Sequence, residues 1–227
     1  MFKSERELVD RFNSLYDCFL TDILNEKIKK KFLLNEYDSH YGIADIVVGK
    51  INNNIKLQNN RKSVNSNWIY PLFHLNLDSI ITIAEFSKIY NLSYKYASKY
   101  LNTYTEANFF TKIENNTYKK INNYEIVLDD IISIEAKLKD WQKAIKQAYR
   151  YKSFSNFSFV LLDEEFSSRA LESLEIFIKY NIGLITINNN HYKIHHTPKR
   201  KNLKPSYYLL KANEVVYNLF TNSHVSY

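Results

Sequence analysis

Ile131-Ile132-Ser133-Ile134-Glu135-Ala136-Lys137-Leu138 decides how this chain is read. Its apolar, β-branched run predicts a β-strand. Side chains alternate along a strand, so Glu135 and Lys137 share one face while Ile134 and Ala136 point the other way. An acid and a base then sit in a segment apolar enough to be buried. A buried charge is costly unless it is paired, so the two residues need a partner or a task. The competing reading is a solvent-facing pair on an edge strand, because Glu-x-Lys is a common tripeptide.

The flanking sequence repeats this character. Ile43-Ala44-Asp45-Ile46-Val47-Val48 is a second apolar strand interrupted by one acid, and Gly42 and Gly49 bracket it. Phe32 to Tyr37 predicts the strand before it. Residues 4–24 predict one amphipathic helix with Ser4 as its cap and Glu7 at capping-box spacing. Leu8, Val9, Phe12, Leu15, Tyr16, Phe19 and Leu20 form its apolar face, and Glu5 points to the same side. Cys18 reads as a core residue of that helix. After the Glu-x-Lys strand, a helix runs from about Asp140 to Lys152, with Gln147 and Tyr151 at i and i+4 beside Trp141, Ala144, Ile145 and Ala148. A strand at 157–162, a helix at 167–181 and a closing strand pair, Gly183 to Ile187 and His191 to Ile194, complete the series. This alternation predicts an α/β fold, a mixed sheet with helices on both faces.

The pattern changes between the two acid-bearing strands. Residues 51–67 read as a polar linker. Helices follow at Trp68 to Leu77, Thr82 to Tyr90 and from a Ser93 cap to about Asn108, then strand, turn and strand from Phe109 to Ile121. Helices followed by a hairpin resemble a winged helix-turn-helix. The expected division is therefore an inserted domain at 66–124 within a larger domain made of 1–50 and 131–227. Tyr94, Lys95 and Lys99 on the third helix, with Lys119 and Lys120 on the hairpin, suit phosphate contact. Lys143 and Arg150, on the helix after the Glu-x-Lys strand, do the same.

Bulk properties bound the function. The 227 residues carry a formal charge of +7, which favours a polyanionic partner. A single cysteine excludes an intrachain disulfide and a cysteine-rich zinc site. No apolar run approaches a membrane span and no signal peptide is read, so a cytoplasmic protein is expected. His191, His195 and His196, with Lys193, Lys199, Arg200, Lys201 and Lys204, read as a solvated basic segment.

An acidic helix, an Asp strand, a Glu-x-Lys strand and a Gln-x-x-x-Tyr helix, in that order, resemble the PD-(D/E)XK nuclease superfamily and its exonuclease-like branch. The matching residues are Glu5, Asp45, Glu135 with Lys137, and Gln147 with Tyr151. The resemblance covers about 4–50 and 131–195 and rests on motif order, because each motif is short. It departs in the long separation of Asp45 from Glu135, which the insertion accounts for if the two strands stay adjacent. Asp129, Asp130 and Asp38 are rival acids.

The resemblance implies a restriction-endonuclease-like sheet and metal-dependent hydrolysis of DNA. Asp45 and Glu135 would be oxygen ligands for Mg²⁺ or Mn²⁺. Lys137 would orient or deprotonate the attacking water and offset charge on the phosphate. Glu5 and Gln147 would join the site, and the inserted domain would dock duplex DNA. Protein partners from a phage or mobile-element defence system follow by analogy. The rival readings are a DNA-binding regulator on an inactive nuclease scaffold and a toxin- or antitoxin-like interaction protein. At the level of single residues, the plainer readings are a solvent-facing Asp45, a helix-dipole role for Glu5 and a functionless helix flank for Gln147 and Tyr151.

Overall fold

The structure, a computed structural model, describes residues 1–55 and 61–222. In chain order the elements are α1 (Glu5–Asn13), α2 (Tyr16–Leu24), β1 (Lys31–Asp38), β2 (Ile43–Ile51), α3 (Ile69–His74), β3 (Ile80–Thr82), α4 (Ile83–Ile89), α5 (Tyr94–Glu106), β4 (Phe110–Glu114) and β5 (Thr117–Lys120). They continue with β6 (Leu128–Lys137), α6 (Trp141–Tyr151), β7 (Phe157–Asp163), α7 (Ser168–Glu172), α8 (Leu174–Tyr180), β8 (Gly183–Ile187), β9 (Tyr192–His196) and α9 (Tyr207–Asn222). The fold is α/β. The chain divides into two compact units, Met1–Asn54 with Leu128–Lys204, and Ile55–Val127 with Pro205–Tyr227.

The first unit is a six-stranded mixed sheet in the order β1-β2-β6-β7-β8-β9. β1, β2 and β6 are antiparallel neighbours, β7 and β8 run parallel to β6, and β9 closes the far edge antiparallel. The two acid-bearing strands are thus adjacent despite their distance in the chain. Gly49 permits their close approach, because a Cβ there would lie 2.1 Å from the Asp130 carbonyl oxygen. One face of the sheet packs Ile132, Ile134 and Ala136 against Phe12, Phe19 and Leu20. Another cluster joins Ala144, Ile145 and Ala148 of α6 to Val160 and Leu162.

The helix expected over 4–24 is two helices. Leu15 N donates to Phe12 O at 2.8 Å, a tight i to i−3 turn, and Ser14 Oγ donates to Arg11 O at 2.7 Å. That break lets Phe12 and Phe19 meet edge to face with ring centroids 5.1 Å apart. It also corrects Cys18, which is exposed because its neighbours Phe19 and Leu20 take the buried face of α2. The helix expected over 167–181 is likewise split, at Ser173.

The second unit contains α4, α5 and the β4–β5 hairpin in the expected order, with β3 pairing to β5 as a third strand. Thr82 and Glu85 form a capping box at α4, and Ser93 caps α5. Ile81, Phe86, Ala97, Leu101, Phe110 and Tyr118 share its core. Part of the expected polar linker, residues 56–60, lies outside the described residues. The rest of that linker is not all solvated, since Arg61 and Val64 are buried.

The division at the C-terminus differs from the expected 131–227. Residues 205–227 group with the second unit, and α9 was not anticipated. The cause is a buried polar centre. Glu214 on α9 accepts from both terminal guanidinium nitrogens of Arg61 at 2.9 Å, and from Val64 N and Tyr124 Oη. Asn213 Oδ1 accepts from Val127 N at 2.8 Å. A carboxylate with no exposure is tolerable only with such partners.

Candidate active site

The ladder between β2 and β6 ends at the pair Ile46 and Ile134, one residue before Asp45 and Glu135. Where it stops, Ala136 N donates to Asp45 Oδ2 at 2.8 Å, so the acid's side chain takes a backbone donor of the neighbouring strand. Glu135 is 1% exposed. Its Oε2 lies 2.8 Å from Tyr151 Oη on α6, and Ile43 O lies 2.6 Å from the same hydroxyl, whose one proton the two acceptors share. Two strands and one helix therefore meet at one phenol.

Lys137 closes the cluster. Its Nζ lies 2.9 Å from Glu135 Oε1, 3.2 Å from Glu5 Oε2 and 3.7 Å from Asp45 Oδ2, and it donates to Ala136 O at 2.8 Å. Four oxygens from α1, β2 and β6 thus surround one ammonium group. The structure brings together Asp45, Glu135, Lys137 and Glu5, four residues singled out in the sequence.

The charges are not balanced by that one cation. Burial raises the Asp45 carboxyl above the usual carboxylate range, opposed by the Ala136 amide and Lys137, with the Glu5 charge raising it further. Burial likewise raises Glu135, and the charge of Asp45 adds to it against the pull of Lys137 and Tyr151. Burial alone would lower Lys137, but its bond to Glu135 and the charges of Asp45, Glu135 and Glu5 outweigh it, so its pKa is raised. Burial and the neighbouring Glu135 also push the Tyr151 phenol far above its ordinary value, so it is a neutral donor.

Gln147 lies on α6 one turn before Tyr151, half-buried, and its Oε1 is buried without a hydrogen-bond partner. It occupies the motif's spacing on the helix face of Tyr151, and an unsatisfied acceptor there can take a donor. The rival acids have other work. Asp129 and Asp130 pair with Lys50, and Asp130 also accepts from Arg200 Nε at 2.7 Å. Asp38 Oδ1 accepts from His40 N and shapes the turn after β1.

The residues expected at nucleic acid divide unevenly. Tyr94, Lys95 and Lys99 are exposed on α5, and Lys143 and Arg150 are exposed on α6. Lys119 is half-exposed and ion-paired to Asp78 at 2.8 Å. Lys120 is corrected. It is 1% exposed, its Nζ donates to Leu72 O at 2.9 Å and to Leu75 O, and it caps the carboxyl end of α3 instead of facing solvent. Strand alternation is the signal for it, because residues i and i+2 share a face and Lys120 therefore lies on the buried side with Tyr118, opposite Lys119. The basic segment around His195 is also more ordered than expected: the ring nitrogen Nε2 of His195 lies 2.8 Å from Thr186 Oγ1.

Among the described residues, no three His, Cys, Asp or Glu side chains are arranged to hold a metal ion as they stand. No helix among them is long and apolar enough to cross a membrane. No family model matches the chain, and no curated protein does. A solved structure of a protein of unknown function from Silicibacter pomeroyi is similar over 43% of this chain and 67% of that one, at 18% identity and a TM-score of 0.29. A likeness of that size carries no argument about function.

Proposed function

We propose that this chain is a metal-dependent deoxyribonuclease of the PD-(D/E)XK kind, working in the cytoplasm. The observation that carries the reading is the meeting of Asp45, Glu135 and Lys137 at the opened end of the β2–β6 ladder, with Glu5 beside them. Neighbouring strands are what the motif order requires, and the long insertion leaves them neighbours.

The donor set fits a hard divalent cation. Asp45, Glu135 and the Ala136 carbonyl offer oxygens only, and Mg²⁺ needs no more than one or two carboxylates because it keeps several waters. Burial first, and then the charge of a neighbouring carboxylate, raises the pKa of both acids, and a bound cation would offset the second of these. A bound Mg²⁺ or Mn²⁺ would polarise the phosphate and acidify a bound water. The chain's own residues prepare that site. Tyr151 holds the Glu135 carboxylate by one oxygen and leaves the other toward Lys137. The Ala136 amide fixes the Asp45 carboxylate. Lys137, whose pKa the bond to Glu135 and the three carboxylate charges raise, would hold a positive charge beside the phosphate.

In this reading the second unit is a winged helix-turn-helix that docks duplex DNA through Tyr94, Lys95 and Lys99 on α5. Purified protein incubated with plasmid DNA and Mn²⁺, against an EDTA control, tests the activity. Cleavage in Mn²⁺ that is lost with EDTA and with Glu135→Ala supports it. No cleavage by the parent of either plasmid or single-stranded DNA, or equal cleavage by the variant, sinks it.

One observation favours a second reading, a DNA-binding regulator on an inactive scaffold. Lys137 Nζ already stands among the four oxygens as a built-in cation. DNA binding without cleavage, and with no change in melting temperature on adding Mn²⁺, would select it.

A further inference from the structure

A cleft of about 600 Å³ opens on the first unit between the end of α6 and the segment after β9. Arg150, Lys152, Lys199, Arg200 and Lys201 line it, and none of its described lining residues is an acid. Among the described residues, only Arg200 of these five has a carboxylate in salt-bridge reach, Asp130.

The basic triplet 199–201 is built into the wall. Lys199 N donates to Asn181 Oδ1 at 2.7 Å, and Lys199 O accepts from Asn181 Nδ2 at 2.9 Å. Lys201 is held by Asn156: Lys201 N donates to the Asn156 backbone carbonyl at 2.9 Å, and Asn156 Nδ2 donates to Lys201 O at 3.0 Å. Lys201 Nζ donates to Lys152 O, and Lys152 Nζ to Tyr180 O, each at 2.7 Å. These bonds keep like charges together. Burial and then the Lys201 charge lower the Lys152 pKa. Cations crowded on a rigid wall with few acids favour a polyanion.

The wall is also aromatic. Tyr41 is 49% exposed and Tyr149 54% exposed, and Lys152 Nζ lies 5.1 Å from the centre of the Tyr149 ring. A duplex keeps its bases stacked inside and offers no open base face for a phenol ring to stack on, whereas a single strand presents bases beside its phosphates. The cleft borders the carboxylate site: a Cβ on Gly42 would lie 3.6 Å from Arg150 Nη2 in the cleft wall and 3.6 Å from the ring of Tyr151, which bonds Glu135.

We propose that this cleft binds a single-stranded polynucleotide, with phosphates on its lysines and arginines and bases on Tyr41 and Tyr149. The inference rests on the nuclease reading only in making that strand the substrate. Binding is therefore measured without metal, in EDTA, by fluorescence anisotropy of the full chain. The probes are a fluorescein-labelled single strand of about 20 nucleotides and its duplex, the length chosen to exceed one binding site. The Lys199→Glu/Lys201→Glu variant should bind the single strand at least about tenfold more weakly, with a salt slope lower by roughly 0.7 for each phosphate that is no longer neutralised. Tyr149→Ala should weaken the single strand by about tenfold and leave the duplex unchanged. Melting temperature checks that both variants fold, and Arg150→Ala with Lys199→Ala replaces the charge reversal if it does not. Unchanged single-strand affinity, or equal losses on both probes, overturns the proposal. Glu135→Ala should keep its single-strand affinity, so loss of cleavage and loss of binding are separate outcomes.

Discussion

Tyr151 Oη on α6 lies 2.8 Å from Glu135 Oε2 on β6 and 2.6 Å from Ile43 O of β2, so its single proton is shared between two acceptors on neighbouring strands. One phenol thus ties a helix to both strands of the carboxylate site. Tyr151→Phe removes the hydroxyl and keeps the ring. We expect a loss of about 1–3 kcal/mol, because the Glu135 oxygen is left buried and unsatisfied. Urea denaturation measures it, and a variant as stable as the parent would mean that the bridge is energetically silent. On the nuclease reading, cleavage falls too.

Lys137→Met leaves Asp45 and Glu135 facing one another without their cation. Breaking a buried ion pair by removing one member costs about 3–5 kcal/mol. The exposure of Asp45 and of Glu5 lets solvent screen part of the effect, so the lower end is expected. If Asp45 and Glu135 provide the main charge, Glu135→Gln in the same background should recover part of the loss. A double variant no more stable than Lys137→Met alone would contradict that account.

The pH dependence has a definite sign. Asp45 and Glu135 are raised in the folded chain, so the folded state binds their protons more tightly than the unfolded state does. Their contribution is therefore full below the ordinary carboxylate range and is lost as pH rises through the raised values. A divalent ion requires the ionised carboxylates. On the nuclease reading, Mn²⁺ should raise the melting temperature more at about pH 8 than at about pH 5. The same increment at both values would argue against these two acids as ligands.

Glu214→Ala should strike the second unit. It strips the buried Arg61 of its carboxylate and leaves Val64 N and Tyr124 Oη without that acceptor. The expected cost is about 3–5 kcal/mol. Trp68 belongs to the second unit and Trp141 to the first, so denaturation followed by fluorescence in a Trp141→Phe background reports on Trp68 alone. An unchanged Trp68 transition would overturn the assignment of α9 to this unit.

The lysines of the second unit should divide by burial. Lys95→Glu with Lys99→Glu should weaken duplex binding and flatten its salt dependence without unfolding, because both are exposed on α5. Lys120→Ala should lower stability instead, because its ammonium satisfies the Leu72 and Leu75 carbonyls. Duplex affinity that ignores the first pair would point to a protein-facing surface on α5.

The sequence by itself determined the α/β alternation, the helices and hairpin of the insertion, and the four charged residues that meet. These are legible because periodicity and capping are local, and because an acid inside an apolar strand is conspicuous. Strand adjacency, by contrast, belongs to the tertiary structure: only the sheet order places Asp45 beside Glu135 across the inserted chain. The same holds for Lys120, whose burial depends on the α3 carbonyls above it, and for α9, whose place depends on Arg61 far upstream. It holds as well for the basic triplet 199–201, which looks like a solvated tail until Asn156 and Asn181 pin its backbone. Local pattern fixes which face a side chain takes on its own element. Which partner that face meets is decided by contacts between distant segments, and composition and periodicity do not encode them one residue at a time.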